Sequence, residues 1–213
     1  MPTEKTYKIR TKSNNLFLRV SQGHFATSHS HINYYIDVTT QKTRLSEAKA
    51  VAKELVSYYA VNTIVDTVLC LDGTEVIGAC LANELTKGNF VNLNAHQTIY
   101  VITPEHTVGS QLIFRDNILQ AITGKHVLIL AASVSTGYTA KAAVEAIKYY
   151  NGHVSGICAI FSTEDECVGY PVHSVFDPKD LQDYATYPSH ECPMCKNGEK
   201  IDALVNSFGY SKL

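Results

Sequence analysis

The stretch that decides the fold reads His126-Val127-Leu128-Ile129-Leu130-Ala131-Ala132-Ser133-Val134-Ser135-Thr136-Gly137-Tyr138-Thr139. Its first part is an unbroken apolar run, which predicts a central strand covered on both faces. A turn rich in hydroxyl residues follows, and an alanine-rich helix is expected from Thr139 to Tyr150. In an open α/β sheet, ligands bind where such a strand ends and its helix begins.

The residues of this turn favour the binding of a phosphate group. Amide N–H groups at a helix start point outward, and the helix dipole attracts negative charge. Glycine at position 137 lets the backbone turn tightly, and the neighbouring hydroxyls add donors. The predicted phosphate-binding loop therefore comprises Ser135, Thr136, Gly137, Tyr138 and Thr139. Plain helix capping is the alternative, whereas a Walker loop is excluded because no Gly-Lys-Ser/Thr follows.

Outward from this stretch, the chain alternates helical and strand patterns, starting at about residue 46. Two further helices are predicted at 46–59 and 75–87, capped by Ser46 and Thr74. A loop or hairpin is predicted at 103–124. The other strands are expected at 64–71, 90–93, 98–102, 154–161 and 172–176. This alternation is typical of an α/β fold with a mostly parallel central sheet flanked by helices.

Composition limits the classes of function. The 213 residues are 45% hydrophobic and 18% charged, with a formal net charge of −2, which is typical of one folded domain. Lysine and arginine are scattered, so no nucleic-acid partner is expected. No apolar run approaches a membrane span and the N-terminus lacks a signal peptide's apolar part, which predicts a cytoplasmic protein without a membrane partner.

Two segments together resemble the type I phosphoribosyltransferases, and in particular their orotate branch. Val134–Thr139 matches the turn that holds the 5′-phosphate in that family. The second segment matches an orotate-branch stretch with two aromatics and an aspartate, and it reads Phe25-Ala-Thr-Ser-His-Ser-His-Ile-Asn-Tyr-Tyr-Ile-Asp37. The resemblance implies a type I phosphoribosyltransferase-like fold with a small N-terminal hood (1–45), an α/β core (46–180) and a C-terminal tail (181–213).

The resemblance also implies a ligand, a cofactor and further site residues. The expected ligand is a phosphorylated small molecule, either phosphoribosyl pyrophosphate (PRPP) or a nucleotide monophosphate, bound by a homodimer. A strand-loop-helix at 71–78 falls where the family binds pyrophosphate, and magnesium held by its carboxylates is the expected cofactor. The predicted pyrophosphate loop is Asp72, Gly73, Thr74 and Glu75. The predicted base-binding residues are His31, Tyr34 and Tyr35.

Three departures from the family pattern predict weakened catalysis. The acidic pair that bonds the ribose hydroxyls is replaced by Ala131 and Ala132, a loss of about 3–6 kcal/mol of ribose recognition. No lysine or arginine lies between Lys87 and Arg115, where the family carries cations for the pyrophosphate. Ser30 occupies the place of a basic residue that would face a carboxylated base.

Three functions therefore stay open. The first is an enzyme that transfers phosphoribosyl to an orotate-like or other base. The second is a non-catalytic module that binds a nucleotide monophosphate in order to sense or regulate. The third is a dimerisation partner of an active relative.

One further motif lies near the C-terminus, where Cys192 and Cys195 have the spacing of a zinc knuckle. A structural zinc site needs four ligands, and the sequence places only His190 close by. Cys167 or His173 could complete the set through the fold. The motif is therefore interpreted as a turn that is fixed by Pro193 and carries two reduced thiols. Zinc is not expected.

Overall fold

A computed structural model describes residues 6–10, 16–28, 30–88, 92–95, 97–107, 111–206 and 208–213. The chain forms two compact units. The terminal unit comprises residues 1–40 and 176–213, and the core unit comprises residues 41–175.

Strands and helices follow one another along the whole chain. The strands are β1 (Thr6–Arg10), β2 (Phe17–Ala26), β3 (Ser30–Asp37), β4 (Thr67–Cys70), β5 (Tyr100–Ile102), β6 (Glu105–His106), β7 (Leu112–Ile113), β8 (His126–Val134), β9 (His153–Ser162), β10 (Glu166–Cys167), β11 (Tyr170–Phe176), β12 (Thr186–Pro188), β13 (Ala203–Asn206) and β14 (Gly209–Lys212). The helices are α1 (Thr39–Thr43), α2 (Leu45–Tyr59), α3 (Glu75–Leu85), α4 (Tyr138–Tyr149) and α5 (Pro193–Lys196), with 3-10 turns at Leu119–Ala121 and Pro178–Asp180.

The core unit is built on a six-stranded sheet with the order β10-β11-β9-β8-β4-β5. β4 pairs in parallel with both β5 and β8, and β8 pairs in parallel with β9. Residues 127–132 of β8 are all buried, as the apolar run predicted. One face of α4 packs into the same core through Ala140, Ala143, Val144 and Ile147. The predicted α/β class with a mostly parallel central sheet is confirmed.

The terminal unit is a second sheet, in which the two ends of the chain pair with each other. Its order is β12-β3-β2-β13-β14, and β1 also pairs with β2. β13 runs parallel to β2, with Ala203 opposite Phe25, and β12 runs antiparallel to β3, with Tyr187 opposite His31. Segment 181–213, predicted as an appended tail, therefore belongs to the same sheet as the N-terminal segment. Its strands span only three or four residues, too few for a recognisable pattern.

Several predicted element ends are wrong by a few residues. The helix assigned to Ser46 begins at Leu45, and no side chain caps it. The helix predicted to reach residue 87 ends at Leu85. The strand predicted at 90–93 lies partly outside the described residues, and Leu93 lies in a turn. The predicted hairpin within 103–124 is confirmed, because β6 pairs antiparallel with β7.

None of the described helices combines the length and apolarity needed to cross a membrane.

The core unit contains a buried tyrosine whose hydroxyl stabilises the sheet. Tyr59 is 2% exposed, and its hydroxyl donates to the Ile157 carbonyl at 2.8 Å. Burial raises the pKa of this phenol, with smaller contributions from Cys158 and Tyr58. Tyr59→Phe leaves the carbonyl without its donor, so we expect the free energy of unfolding to fall by about 1–2 kcal/mol.

Urea unfolding measures this loss, and Tyr58→Phe is the matched control. Tyr58 is 49% exposed, so removal of its hydroxyl should leave stability unchanged. Equal stability of the two variants would contradict the role given to the Tyr59 hydroxyl.

Candidate functional site

Two loops lie side by side at one edge of the core sheet. β4 and β8 are parallel neighbours, with Cys70 opposite Leu130, so the loops that follow them leave the sheet at the same edge. Loop 71–74 connects β4 to α3, and loop 135–137 connects β8 to α4. The predicted pyrophosphate and phosphate loops are thus adjacent, at the strand ends where α/β sheets bind ligands.

The backbone of the phosphate loop is anchored through its carbonyl groups. The Thr163 amide donates to the Val134 carbonyl at 2.9 Å, and the Thr163 hydroxyl donates to the Ser135 carbonyl at 2.8 Å. In a trans peptide the N–H points opposite to the C=O, so the Thr136 amide is directed away from Thr163. The Gly137 carbonyl likewise accepts from the Lys141 amide at 2.8 Å, inside the helix. The loop therefore turns its carbonyls inward and its amides outward.

Gly137 is the residue that makes this turn possible. Its φ of 68° lies in the left-handed region, and it is the N-cap of α4. As a glycine, it contributes no side-chain cap to the helix. Across the described residues, the amides of Ser135, Thr136 and Gly137 have no hydrogen-bond partner. Phosphate oxygens commonly accept hydrogen bonds from amides arranged in this way at the start of a helix.

Tyr138 is an exposed residue at the start of α4. Its side chain is 56% exposed and lines a groove of about 590 Å³ together with Lys141 and Tyr149 of the same helix. Phosphate binding by residues 135–139 stays a prediction, and the geometry is compatible with it.

The two alanines in place of the family's acidic pair lie at the end of β8. Ala131 and Ala132 are 1% and 4% exposed. The Ala132 amide donates a hydrogen bond to the carboxylate of Asp72. A carboxylate is therefore present beside these positions, but the loop after the neighbouring strand β4 supplies it. Sequence reasoning missed this contact because it joins residues 60 positions apart.

The pyrophosphate loop has a tight and well-anchored conformation. Asp72 and Gly73 both have positive φ, 57° and 77°. Thr74 is fully buried, and its hydroxyl donates to the Leu71 carbonyl at 2.8 Å and the Leu130 carbonyl at 3.1 Å. This hydroxyl joins β4 to β8 and does not cap α3, which corrects the capping role predicted for it. Glu75 is exposed in the first turn of α3.

A lysine that the sequence analysis did not select lies against this loop. Lys42 is 8% exposed, and its Nζ donates to the Asp72 carbonyl at 2.8 Å. A Cβ added at Gly73 would lie 3.7 Å from the same Nζ. The core unit therefore brings a cation to the pyrophosphate loop. Arg115, which follows the cation-free segment 88–114, instead forms a paired contact with Glu105 at 2.7–3.1 Å.

The Asp72 carboxyl has an altered proton affinity. Burial raises its pKa, and the Lys42 charge, the Ala132 amide and His106 offset part of the rise. The folded state therefore holds a proton that the unfolded chain has already lost just above the usual aspartate pKa of about 4. Stability from this group is present at low pH and is lost as pH rises through the folded-state pKa.

Asp72→Asn removes this pH dependence. We expect the stability of the variant to fall less steeply than that of the parent as pH rises from about 4 toward neutrality. Urea unfolding at a series of pH values measures the slopes. Asp116→Asn, at an exposed position, is the control and should keep the parent slope. Parallel slopes for the parent and Asp72→Asn would contradict the assigned pKa shift.

The predicted base-binding residues lie on β3 in the terminal unit. Tyr35 is 9% exposed and packs against Phe25 and Tyr210, with ring centroids 6.0 and 5.2 Å away. Burial, then Asp37 and Tyr210, raise its pKa to about 12. Tyr34 is half-buried, and His31 is 8% exposed with its ring beside Cys195. Base contact by these residues stays a prediction, although Tyr35 and His31 already have buried partners.

Neighbouring positions on this strand give no counter-charge for a carboxylated base. Ser30 is 5% exposed, and its hydroxyl bonds to the Thr27 hydroxyl at 2.9 Å across the turn. His29, which belongs to the stretch that resembles the orotate branch, lies outside the described residues.

Comparison with solved structures now assigns the fold. Leishmania donovani UMP synthase is similar over 76% of this chain, with a TM-score of 0.54 and 19% identity. Mycobacterium tuberculosis orotate phosphoribosyltransferase in complex with PRPP is similar over 70% of this chain and 83% of its own, with a TM-score of 0.51 and 17% identity. The chain has the type I phosphoribosyltransferase fold.

Other members of this fold class give the same result. Leishmania donovani adenine phosphoribosyltransferase is similar over 84% of this chain and 78% of its own, with a TM-score of 0.50 and 14% identity. The chain spans about a third of the UMP synthase, 34% of its length. The sequence matches none of the protein-family descriptions with which it was compared. The type I phosphoribosyltransferase fold predicted from residues 25–37 and 134–139 is thus confirmed.

Proposed function

We propose that this chain binds the 5′-phosphate of a phosphoribosyl compound, either PRPP or a nucleotide monophosphate, at residues 135–139. The observation that carries the proposal is the backbone of the phosphate loop. Thr163 and Lys141 bond its carbonyls, which turns the amides of Thr136 and Tyr138 away from the sheet. Outward amides at a helix start supply both donors and positive potential for a phosphoryl group.

Transfer of the phosphoribosyl group to a nucleobase is the second candidate function. It is favoured by Lys42 and Asp72, which give the pyrophosphate loop one cation and one carboxylate. Mg²⁺, which binds through a few carboxylates and phosphate oxygens, would be held by Asp72 together with the pyrophosphate. Two alanines replace the acidic pair, so we expect slow transfer.

The remaining alternatives are non-catalytic. A nucleotide-sensing module needs only the phosphate loop and no acidic pair, which fits Ala131 and Ala132. A dimerisation partner of an active relative would need neither the phosphate loop nor the acidic pair. We expect a cytoplasmic homodimer, except under the last alternative, in which the chain would pair with the relative.

Titration calorimetry tests the binding proposal. Ribose 5-phosphate, a nucleoside monophosphate and PRPP, the last with and without Mg²⁺, should each bind. Ribose and the matching nucleoside lack the phosphoryl group, so they should not bind measurably. Equal binding of phosphorylated and unphosphorylated compounds would refute the assignment of the phosphate loop.

Release of pyrophosphate from PRPP separates the two functions. The assay contains Mg²⁺ and a panel of bases that includes orotate, uracil and adenine. Release that depends on one base supports the transferase. PRPP binding without release from any base supports the binding module and rejects transfer.

A further inference from the structure

Four metal-binding side chains from opposite ends of the chain meet in the terminal unit. They are His24, His31, Cys192 and Cys195, and their ligand atoms all lie within 4.8 Å of one another. His24, His31 and Cys192 are buried, at 2%, 8% and 0% exposure, and Cys195 is exposed. Two thiols and two imidazoles are a set that tetrahedral zinc accepts in structural sites.

The distances between these atoms fit one tetrahedral ion. Ligands about 2.0–2.1 Å (N) and about 2.3 Å (S) from zinc are separated by about 3.4 Å for two nitrogens and about 3.6 Å for nitrogen and sulfur. His24 Nε2 lies 3.0 Å from His31 Nδ1, 3.5 Å from Cys192 Sγ and 3.6 Å from Cys195 Sγ. Cys195 Sγ lies 3.2 Å from His31 Nδ1. These four distances lie near those of a tetrahedral zinc site, and the two distances from Cys192 Sγ to His31 and Cys195 are at most 4.8 Å.

The orientation of His24 is set by its surroundings. A register shift between Gln22 and Phe25 interrupts the pairing of β2 with β3, and such bulges re-aim a side chain. The His24 amide donates to Asp202 Oδ2 at 2.8 Å, and the Asp202 amide donates to the His24 carbonyl at 2.8 Å. A Cβ at position 23 would lie 2.7 Å from Asp202 Oδ2, so a larger residue there would displace this carboxylate.

The ring of His24 presents a lone pair to the cluster. Its Nδ1 lies 3.1 Å from the Glu199 carbonyl, which can only accept a hydrogen bond. The proton of a neutral ring is therefore on Nδ1, and Nε2 faces the two thiols and His31 as a free ligand atom. A backbone carbonyl that fixes the tautomer in this way is typical of metal-bound histidines.

The other three ligands are also held by regular structure. Cys192 immediately precedes α5 and Cys195 lies within it, so both thiols project from one short turn. That turn closes at Gly198, whose φ is 74° and whose amide donates to the Cys195 carbonyl at 3.0 Å. His31 is fixed in β3 by its pairing with Tyr187 of β12.

We propose that His24, His31, Cys192 and Cys195 bind one structural zinc ion. Two thiols lose their protons on binding, and the resulting two thiolates and two neutral imidazoles leave a site with no net charge, which suits its burial. All four positions are filled by protein, so the ion is closed to substrate. It joins β2 and β3 to the turn at 192–198 and so fastens the two ends of the chain.

This proposal replaces the expectation that zinc is absent, which rested on the two cysteines visible in sequence. The sequence had suggested three further zinc ligands, and each of them has different surroundings. The side chain of His190 is 80% exposed and lies 3.3 Å from Glu191. In the core unit, Cys167 lies beside the Gly137 carbonyl and His173 stacks on Tyr58.

Metal analysis of the whole chain tests the proposal. The protein is purified under reducing conditions without a metal-affinity step, then reconstituted with Zn²⁺ and desalted, and about one zinc per chain is expected. His24→Asn and Cys195→Ser should lose the metal. His190→Asn and Cys80→Ser, which change the same residue types outside the cluster, should keep it. A parent chain that takes up no zinc, or control variants that lose it equally, would overturn the proposal.

Cobalt substitution tests the ligand set without any variant. Co²⁺ bound to the parent chain should give the intense visible bands of a tetrahedral site and thiolate charge-transfer absorption. His31→Cys should retain the ion with stronger charge transfer, whereas His31→Ala should release it. Weak octahedral bands, or absorption without thiolate charge transfer, would refute a site of two cysteines and two histidines. None of these readouts depends on phosphate binding or turnover.

Discussion

Gly137→Asp is expected to weaken the binding of ribose 5-phosphate by about a hundredfold or more. Three effects act together. The φ of 68° disfavours any residue with a Cβ, and an added Cβ would lie 3.2 Å from Cys167 Sγ. The new carboxylate would stand beside the outward amides and repel the phosphate. Two amide bonds to a charged group, at about 1.5–3 kcal/mol each, account for the size of the loss.

Gly124→Asp is the matched control for this variant. Its φ of 69° gives the same backbone strain, and an added Cβ would meet no atom within 4 Å. Calorimetry should therefore find reduced stability for both variants and lost ligand binding only for Gly137→Asp. If Gly137→Asp bound ribose 5-phosphate with normal affinity, the phosphate loop would not be the binding site.

Lys42→Met is expected to weaken PRPP binding by about tenfold to a hundredfold. Binding of ribose 5-phosphate should change by less than about twofold, because that ligand has no pyrophosphate. The Lys42 ammonium donates to the Asp72 carbonyl and is largely shielded from water, so its charge acts on the pyrophosphate loop with little screening. Methionine keeps an apolar stem and removes the charge together with the hydrogen bond to the Asp72 carbonyl.

Lys53→Met removes the same charge from an exposed position on α2 and should leave both affinities unchanged. Calorimetry with the two ligands, each with Mg²⁺, makes the comparison. An equal loss for PRPP and ribose 5-phosphate in Lys42→Met would mean that Lys42 supports the fold alone. Unchanged PRPP affinity would remove Lys42 from the proposed site.

The strand–turn–helix conformation at the phosphate loop could be predicted from sequence because its determinants are local, whereas phosphate binding there stays a prediction. An apolar strand, a glycine with positive φ and an alanine-rich helix follow one another within residues 126–149. The core sheet could be predicted for the same reason, since each strand and helix has its own hydrophobic pattern. The errors at residues 46, 74 and 87 concern element ends, where capping depends on contacts outside the element.

The remaining site residues depend on contacts between distant parts of the chain. Asp72 meets Ala132, and Lys42 meets Asp72, only because α1, β4 and β8 converge in the folded core unit. His24 joins Cys192 across 168 positions, through a bulge that no period-two pattern reveals. In β13 the burial alternates, with Ala203 and Val205 buried and Leu204 exposed, but all three residues are apolar, so the sequence does not show this alternation.

A crystal structure of the chain with ribose 5-phosphate tests the central claim most directly. We expect phosphate oxygens to accept hydrogen bonds from amides of residues 135–138, with Gly137 still at positive φ. A phosphate bound elsewhere, with these amides facing solvent or bonded to protein, would contradict it.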